Sequence, residues 1–297
     1  QYKFLNPAIF GQSFYTFRNR YFNMIGYGNH TPVLKRSMVP ELMDRLHSIA
    51  FRTTKAECLD LPETTDIVRY VELEPKTAWL YRDLVKNSFA ELSKGEVTAT
   101  NILTRLLRLS QLTGGFLGSD DGSISTVSTA KLDALSDIVD EAVSEEQKLV
   151  VIARFLPEIH AIEKLLNEKG LRYSLICGGV QDRDVQIEQF QRDPDVKVFV
   201  GQIATAGLGI TLTAASTMVF YSLDYSMSNF EQTKARIHRV GQKHNCTYLY
   251  LTAKGTVDEK VLKALRTKAD LAKTLVDDYR RCGNPFAEGG EKDAGDV

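Results

Sequence analysis

Residues 148–170 read KLVVIARFLPEIHAIEKLLNEKG, a short apolar run followed by a segment with helical spacing. The run LVVIA has the length and composition of a strand that is buried on both faces. Apolar residues then recur at helical spacing from Ile159 to Leu166, with Pro157 in the first turn and Gly170 as a stop signal. The stretch therefore predicts one strand followed by one helix.

The same pattern recurs four times towards the carboxyl terminus. The pairs are LRYSLI with VQDRDVQIEQFQRD, VKVFVGQ with TAGLGITLTAA, TMVFYSL with SNFEQTKARIHRV, and CTYLYLT with TVDEKVLKALRTKADLAKTL. Capping boxes mark two helix starts, Ser228 with Glu231 and Thr256 with Glu259. Apolar strands that alternate with amphipathic helices predict an α/β fold, a doubly wound parallel sheet flanked by helices.

The region before this repeat has a different pattern. It is mostly helical, with one strand in DIVRYVEL, and it ends in the Gly, Ser and Asp-rich segment GGFLGSDDGSISTVS. We therefore place a boundary near residues 114 to 129. The predicted organisation is a helical region over 1–128, the parallel-sheet domain over 129–275 and a flexible tail over 276–297.

Composition excludes several classes of protein. The chain has 297 residues, 43% of them hydrophobic and 25% charged, and a formal net charge of -1, so it is not a uniformly basic nucleic-acid binder. Its four cysteines are far apart and form no zinc-ligand pattern, so we expect no metal knuckle and no disulfide framework. The apolar runs are strand-sized and the first residues do not resemble a signal peptide. We expect an intracellular, cytoplasmic protein with no membrane segment.

A basic segment, EQTKARIHRVGQK, stands at 231–243. On a helix that begins after Ser228, Gln232, Arg236 and Arg239 fall at i, i+4 and i+7 and share one face. Two guanidinium groups one turn apart are able to grip a single phosphate. The alternative is an ordinary solvated helix face.

Two glycines precede this segment along the chain. Gly207 and Gly209 follow the strand VKVFV, where they permit a tight turn and a close backbone approach to a ligand at the carboxyl edge of the sheet. The alternative is a purely structural turn between two elements. A G-x-G pattern by itself is weak evidence, and the order of glycine turn, strand and arginine-bearing helix is considerably stronger.

Several of these segments resemble motifs of one family. GLGITLTAAS, QTKARIHRVGQ and LTAKGTVDEKVL resemble motifs V and VI, and the segment after them, of the Swi/Snf-type helicase-like ATPases of superfamily two. KLVVIARF resembles the motif IV region, and FLNPAIFG and FRTTKAECLDLPE resemble the passage from the first lobe to the second. The resemblance covers about residues 1–270. The chain departs from many relatives at Ala206, Thr211 and Tyr225–Met227.

The resemblance implies a RecA-like second lobe, with ATP bound between two lobes. It assigns catalytic arginines at Arg236 and Arg239, nucleotide contacts at Gln232, Gly207 and Gly209, and DNA contacts at Thr205, Thr213, Arg52, Lys55 and Arg183. Structural alternatives to these functional roles stay open: Gln232 is an ordinary exposed glutamine, and Arg52 and Lys55 form an exposed basic patch. His238 is expected to buttress the arginines.

The sequence contains no G-x-x-x-x-G-K-[ST] phosphate loop and no D-E-x-H motif. The family carries both in its first lobe, so we expect the chain to be the end of that lobe plus the whole second lobe. ATP with Mg²⁺ would be bound mainly by the upstream lobe, and the fragment alone would be inactive as an ATPase.

The leading hypothesis is the carboxy-terminal lobe of a DNA-stimulated, ATP-dependent translocase on double-stranded DNA. Its partners would be duplex DNA and its own amino-terminal lobe, and we expect a monomer that is nucleoid-associated if bacterial. A non-catalytic module that binds DNA or protein is the second hypothesis. An RNA helicase of the same superfamily is the third, disfavoured by the Swi/Snf-type motifs.

Overall fold

A computed structural model describes residues 2–26, 28, 30–50, 59–92, 99–118, 122–206 and 209–267. Contacts divide the chain into two units, residues 1–60 and residues 61–297. The division falls at residue 60, whereas the sequence predicts a boundary near residue 128. That boundary between functional regions, and the tail over 276–297, stay predictions.

The first unit is a small helical region with one hairpin. Its elements are α1 (Tyr2–Leu5), α2 (Phe14–Tyr21), the antiparallel strands β1 (Phe22–Ile25) and β2 (Thr31–Leu34), a 3₁₀ turn (Arg36–Met38) and α3 (Val39–His47). Tyr21 is buried at its centre and donates to Glu41 Oε1 at 3.0 Å, which Arg20 also contacts at 2.7 Å. These contacts tie α2 to α3.

The second unit is built on a six-stranded parallel sheet. Its strands are β3 (Thr64–Val71), β6 (Leu149–Ala153), β7 (Arg172–Ile176), β8 (Val196–Gln202), β9 (Thr217–Phe220) and β10 (Cys246–Ala253), in the order β3-β10-β9-β6-β8-β7. Every neighbouring pair is parallel. A short hairpin, β4 (Phe116–Gly118) with β5 (Ile124–Thr126), stands outside this sheet.

Helices cover both faces of the sheet. They are α4 (Pro75–Leu92), α5 (Ala99–Thr113), α6 (Ala130–Ser144), α7 (Leu156–Glu168), α8 (Arg183–Arg192), the single-turn α9 (Ile203–Ala206), α10 (Met227–Lys234) and α11 (Val257–Thr267). Alternate residues of β6 belong to two separate cores: Leu149 and Val151 pack with α6 and α7, whereas Val150 and Ile152 pack with the other helices. The predicted RecA-like α/β fold, with a parallel sheet flanked by helices, is confirmed.

Two details differ from the sequence prediction. β3 pairs with β10 along its full length, from Thr64 beside Cys246 to Val71 beside Ala253, so the single strand of the helical region belongs to the sheet. Among the described residues, the segment after β8 contains the four-residue α9, and from Gly209 onward it is a loop, in which Leu212 N donates to Arg236 O at 2.9 Å rather than to a carbonyl of a helix of its own. A full helix there was the wrong prediction.

Two features are absent from the residues that the structure describes. None of the helices among them is long and apolar enough to cross a membrane. Those residues also contain no group of three or more histidines, cysteines, aspartates and glutamates arranged to hold a metal ion.

Candidate functional site

The basic segment begins as a helix and leaves it early. Ser226 caps α10, because its Oγ accepts from the backbone N–H of Asn229 at 3.2 Å, so the predicted start at Ser228 is wrong by two residues. The helix ends at Lys234, before either arginine. Asp224 supports the start by accepting from Ser226 N at 3.1 Å and from Asn229 Nδ2 at 2.6 Å.

Arg236 and Arg239 therefore lie in consecutive turns between α10 and β10, the segment that we call the arginine turn (residues 235–242). The prediction that they share a helix face is wrong, yet both guanidiniums reach the same atom. Arg236 Nη1 lies 3.4 Å from Ile210 O, and Arg239 Nη1 lies 3.0 Å from it. Two half-buried cations thus meet at one neutral carbonyl of the loop that follows α9.

Crowding two cations has an electrostatic consequence. Burial, and after it the neighbouring charge of Arg239, lower the pKa of Arg236 below its usual value. Both causes disfavour positive charge, and an anion placed between the guanidiniums would relieve both of them. The arrangement is therefore suited to binding an anion with several oxygens, such as a phosphate.

Gln242 holds the arginine turn against the loop. Its side-chain Nε2 donates to Ala215 O at 2.8 Å, to Ile237 O at 3.1 Å and, at 3.4 Å, to Thr213 O. Its Oε1 accepts from the backbone N–H groups of the two residues that follow it. Gln242 is not among the residues predicted to form the site, although it is the last residue of the stretch QTKARIHRVGQ that resembles motif VI.

Three of the other predicted contact residues lie in α9 or in the loop that follows it. Gly209 is exposed and adopts a φ of +68°, a left-handed conformation that only glycine tolerates easily. Thr205 Oγ1 lies 3.5 Å from Gln202 Oε1, and Thr213 Oγ1 accepts from Gln191 Nε2 at 3.3 Å. The tight turn expected at Gly209 is thus present.

The remaining predicted residues are dispersed. Gln232 is exposed and donates to Ser228 Oγ at 2.9 Å, so its amide is engaged within its own helix. Arg183 is half-buried at the first position of α8. Arg52, Lys55 and Gly207 lie outside the described residues.

A second cluster lies at the carboxyl ends of β6 and β9. Arg154 follows β6, and its guanidinium carbon stands 4.2 Å from the ring centre of Tyr225 and 4.9 Å from that of Phe155. Tyr225, at one of the positions where the chain departs from many relatives, also shares a hydrogen bond with Ser110 Oγ at 3.0 Å. Tyr225 therefore packs against the carboxyl ends of β6 and β9 through a cation–π contact with Arg154.

Glu158 lies buried under this cluster. Its Oε2 accepts from Arg154 N at 3.1 Å, from Phe155 N at 3.0 Å and from Ser222 Oγ at 2.5 Å. Burial raises the pKa of Glu158 to about 7, although these hydrogen bonds act in the opposite direction. The neighbouring Gly114 is required, because a Cβ there would stand 2.1 Å from Glu158 Oε1.

Comparison with known proteins shows which family this chain belongs to. Residues 130–241 match the model of the helicase conserved C-terminal domain. This stretch runs from α6 to the arginine turn and includes the strands β6, β7, β8 and β9. A solved Swi2/Snf2 ATPase core of Sulfolobus solfataricus, in complex with double-stranded DNA, superposes with a TM-score of 0.58 at 25% identity, over 96% of this chain and 59% of that one. The chain is a carboxy-terminal region of the Swi/Snf-type family of superfamily two.

Curated relatives of this Swi/Snf-type region are longer proteins. The DNA repair and recombination protein RDH54 of Saccharomyces cerevisiae is 26% identical over 303 aligned residues, covering 93% of this chain. An uncharacterized ATP-dependent helicase of Mycoplasma pneumoniae is 30% identical over 244 aligned residues, covering 80% of this chain. The chain spans 32% and 23% of their respective lengths.

Proposed function

We propose that this chain supplies the second RecA-like lobe of a DNA-stimulated ATPase that translocates on double-stranded DNA. The observation that carries the proposal is the meeting of Arg236 and Arg239 at Ile210 O. Membership of the Swi/Snf-type family supports ATP as the nucleotide. The DNA in the solved Sulfolobus complex supports duplex DNA as the partner.

In this proposal the two arginines act as fingers on the γ-phosphate of ATP held by an upstream lobe. A carbonyl is a neutral acceptor, whereas a phosphate carries full negative charge and is able to accept two parallel hydrogen bonds from one guanidinium. The phosphate would therefore displace Ile210 O from one or both guanidiniums. ATP with Mg²⁺ would supply the reactive phosphoanhydride, and an arginine finger contributes about 10³ to 10⁵ in rate.

The loop that contains Ile210 would couple the nucleotide to the DNA. Thr205 in α9 and Thr213 in the loop would contact the DNA backbone, with Arg52, Lys55 and Arg183 as further phosphate contacts. Gly207 and Gly209 would contact the nucleotide. A change in the hydrogen bonds at Ile210 O would then alter the DNA-facing part of a single loop. Gln232 would contact the nucleotide once its bond to Ser228 opens.

We also propose the organisation that goes with this function. Residues 1–128 would form the end of the first lobe and a helical family-specific region, and residues 129–275 the second lobe. The predicted tail over 276–297 lies outside the described residues. The protein would act as a monomer in the cytoplasm. Alone, the chain would hydrolyse little ATP, because the carboxylates that hold Mg²⁺ would belong to the upstream lobe.

ATP hydrolysis by the protein that carries both lobes tests the proposal. The rate should rise with duplex DNA, and Arg239→Ala should lower kcat by 10³ or more, while the exposed-helix control Lys164→Ala should match the wild type. The present chain alone should be silent. A loss of less than 10-fold in Arg239→Ala would remove the finger role.

The same assay separates the competing hypotheses. DNA binding without measurable hydrolysis by the two-lobed protein would favour the non-catalytic module. Stimulation by RNA that exceeds stimulation by duplex DNA would favour the RNA helicase. Comparison of duplex DNA, single-stranded DNA and RNA at equal nucleotide concentration therefore belongs in the first experiment.

A further inference from the structure

The arginine turn belongs to neither a helix nor a strand, so its shape depends on what ties it down. Two ties connect it to the start of β3 and the residues just before that strand (Pro62 to Asp66). Lys234, which immediately precedes the arginine turn, and His238, which lies between the two arginines, both contact this segment. These are the contacts on which the inference rests.

The first tie is an ion pair. Lys234 Nζ lies 2.8 Å from Asp66 Oδ1, and the Lys234 side chain is only 20% exposed. The ammonium stands 4.2 Å from the ring centre of Tyr248, whose hydroxyl donates to Lys234 O at 2.9 Å. The hydroxyl of Tyr250 donates to the same Asp66 oxygen. Both charges are thus held in fixed positions.

The state of the carboxylate agrees with this arrangement. Burial raises the pKa of Asp66, but the hydrogen bonds from Lys234 and Tyr250 outweigh it, and the pKa lies below its usual value. Asp66 is therefore ionised at neutral pH and fully able to pair with Lys234. The Asp66 side chain is 39% exposed, so salt screens this pair in part, and its fixed geometry comes from the aromatic contact to Lys234 and the hydrogen bond from Tyr250.

The second tie is a hydrogen bond to the backbone. His238 Nε2 lies 2.9 Å from Pro62 O, and because a carbonyl only accepts, that nitrogen carries the proton. Cys246 N also donates to Glu63 O at 2.9 Å, which extends the contact to the start of β10. The segment from Pro62 to Asp66 thus contacts the residue before the arginine turn, a residue between the two arginines and the first residue of β10.

We propose that Asp66 is a positioning residue for the two arginines, acting through Lys234, with the Pro62 carbonyl as the second tie through His238. The inference rests on the proposed function of Arg236 and Arg239. Misplacing a catalytic group by about 1 Å costs on the order of 10²-fold in rate. When Asp66 no longer pairs with Lys234, the backbone just before Arg236 is less restrained. The two guanidiniums then no longer meet at Ile210 O.

Kinetics of the two-lobed protein test this role. Asp66→Asn should lower the DNA-stimulated kcat by about 10- to 100-fold with the KM for ATP changed less than threefold, and Asp66→Glu should recover part of the loss. The matched control is Asp137→Asn, which removes the carboxylate paired with Arg69 of the same strand at 3.0 Å. It should leave kcat unchanged. A kcat within threefold of wild type in Asp66→Asn would overturn the proposal.

A double variant separates positioning from a merely structural role. Because Asp66 acts through the two arginines, Asp66→Asn should cause a smaller loss in kcat when Arg239 is already alanine than it does in the wild type. A general loss of folded protein would instead lower the rate by the same factor in both backgrounds. Full additivity would therefore refute the positioning role.

Amide hydrogen exchange, followed by mass spectrometry, gives a readout that needs no hydrolysis. Exchange across residues 235–242 should be at least 10-fold faster in Asp66→Asn than in wild type and unchanged in Asp137→Asn. If the two-lobed protein hydrolysed no ATP, the proposed function would fail, whereas faster exchange would still support the tie. Unchanged exchange would overturn the tie whatever the ATPase result.

Discussion

Lys131 and Asp258 form a buried ion pair between α6 and α11. Their side chains are 2% and 14% exposed, and Lys131 Nζ lies 2.6 Å from Asp258 Oδ2. Lys131 also donates to Tyr221 O at 3.2 Å, while Asp258 accepts from Thr113 Oγ1 at 2.8 Å and from Ala253 N at 3.1 Å. One pair thus connects three helices with the ends of two central strands.

We predict that Lys131→Met destabilises the second unit severely. The change keeps the apolar stem but leaves Asp258 buried without its cation, which costs about 3–5 kcal/mol in such cases. The two hydrogen bonds that Asp258 retains place the expectation near the lower end, about 3 kcal/mol. That corresponds to a change of about 100-fold in the unfolding equilibrium constant.

Urea unfolding followed by circular dichroism at 222 nm measures this cost. The control is Lys164→Met, whose partner Glu168 is 3.8 Å away and whose side chain is 78% exposed, so a change below about 1 kcal/mol is expected. Adding Asp258→Asn to Lys131→Met should recover part of the loss, because the orphaned charge is then removed. The reasoning is refuted if Lys131→Met costs no more than the control, or if the second change brings no recovery.

Two further predictions concern buried polar groups of the site. Burial raises the pKa of Glu158 in the folded protein to about 7, above its usual value of 4.5, so its contribution to stability is fully present below pH 4.5. That contribution, roughly 3 kcal/mol, is lost as the pH rises to 7. Glu158→Gln, which has no proton to lose, should flatten that dependence in urea unfolding between pH 4.5 and 8, and parallel curves for the two proteins would contradict it. Gln242→Ala should cost about 2 kcal/mol or more by thermal or urea unfolding, because it leaves the buried carbonyls of Ala215 and Ile237 unsatisfied. The exposed Gln147→Ala should change the free energy of unfolding by less than about 0.5 kcal/mol. Equal effects of the two changes would show that the three hydrogen bonds donated by the Gln242 side chain do not stabilise the fold.

The sheet could be predicted from the sequence because its strands carry their own signal. A strand such as Leu149–Ala153, buried on both faces, needs apolar residues at every position, and the helix after it needs them only on one side. No local signal in the sequence shows which strand β3 pairs with. β3 pairs with β10, about 180 residues later in the chain, so only the folded structure shows that β3 belongs to the sheet.

The arginine turn shows why the end of a helix is harder to predict. The pattern from Asn229 to Val240 is compatible with one continuous helix. In the structure, Leu212 N donates to Arg236 O at 2.9 Å, and the Gln242 side chain donates to Ile237 O at 3.1 Å. A continued helix would give these carbonyls to its own next turn. Tertiary hydrogen bonds therefore replace helical ones.

This replacement bears on how the arginines would act. On a regular helix, residues three apart project in directions about 60° apart, and each guanidinium would be held mainly by its own long side chain. Here the backbone is bent by bonds to the loop, so the two guanidiniums reach a carbonyl of that same loop. The bonds that break the helix are thus the bonds that aim the arginines. A variant that restored a continuous helix would be expected to gain regular backbone hydrogen bonds and to lose the convergence on which phosphate binding depends.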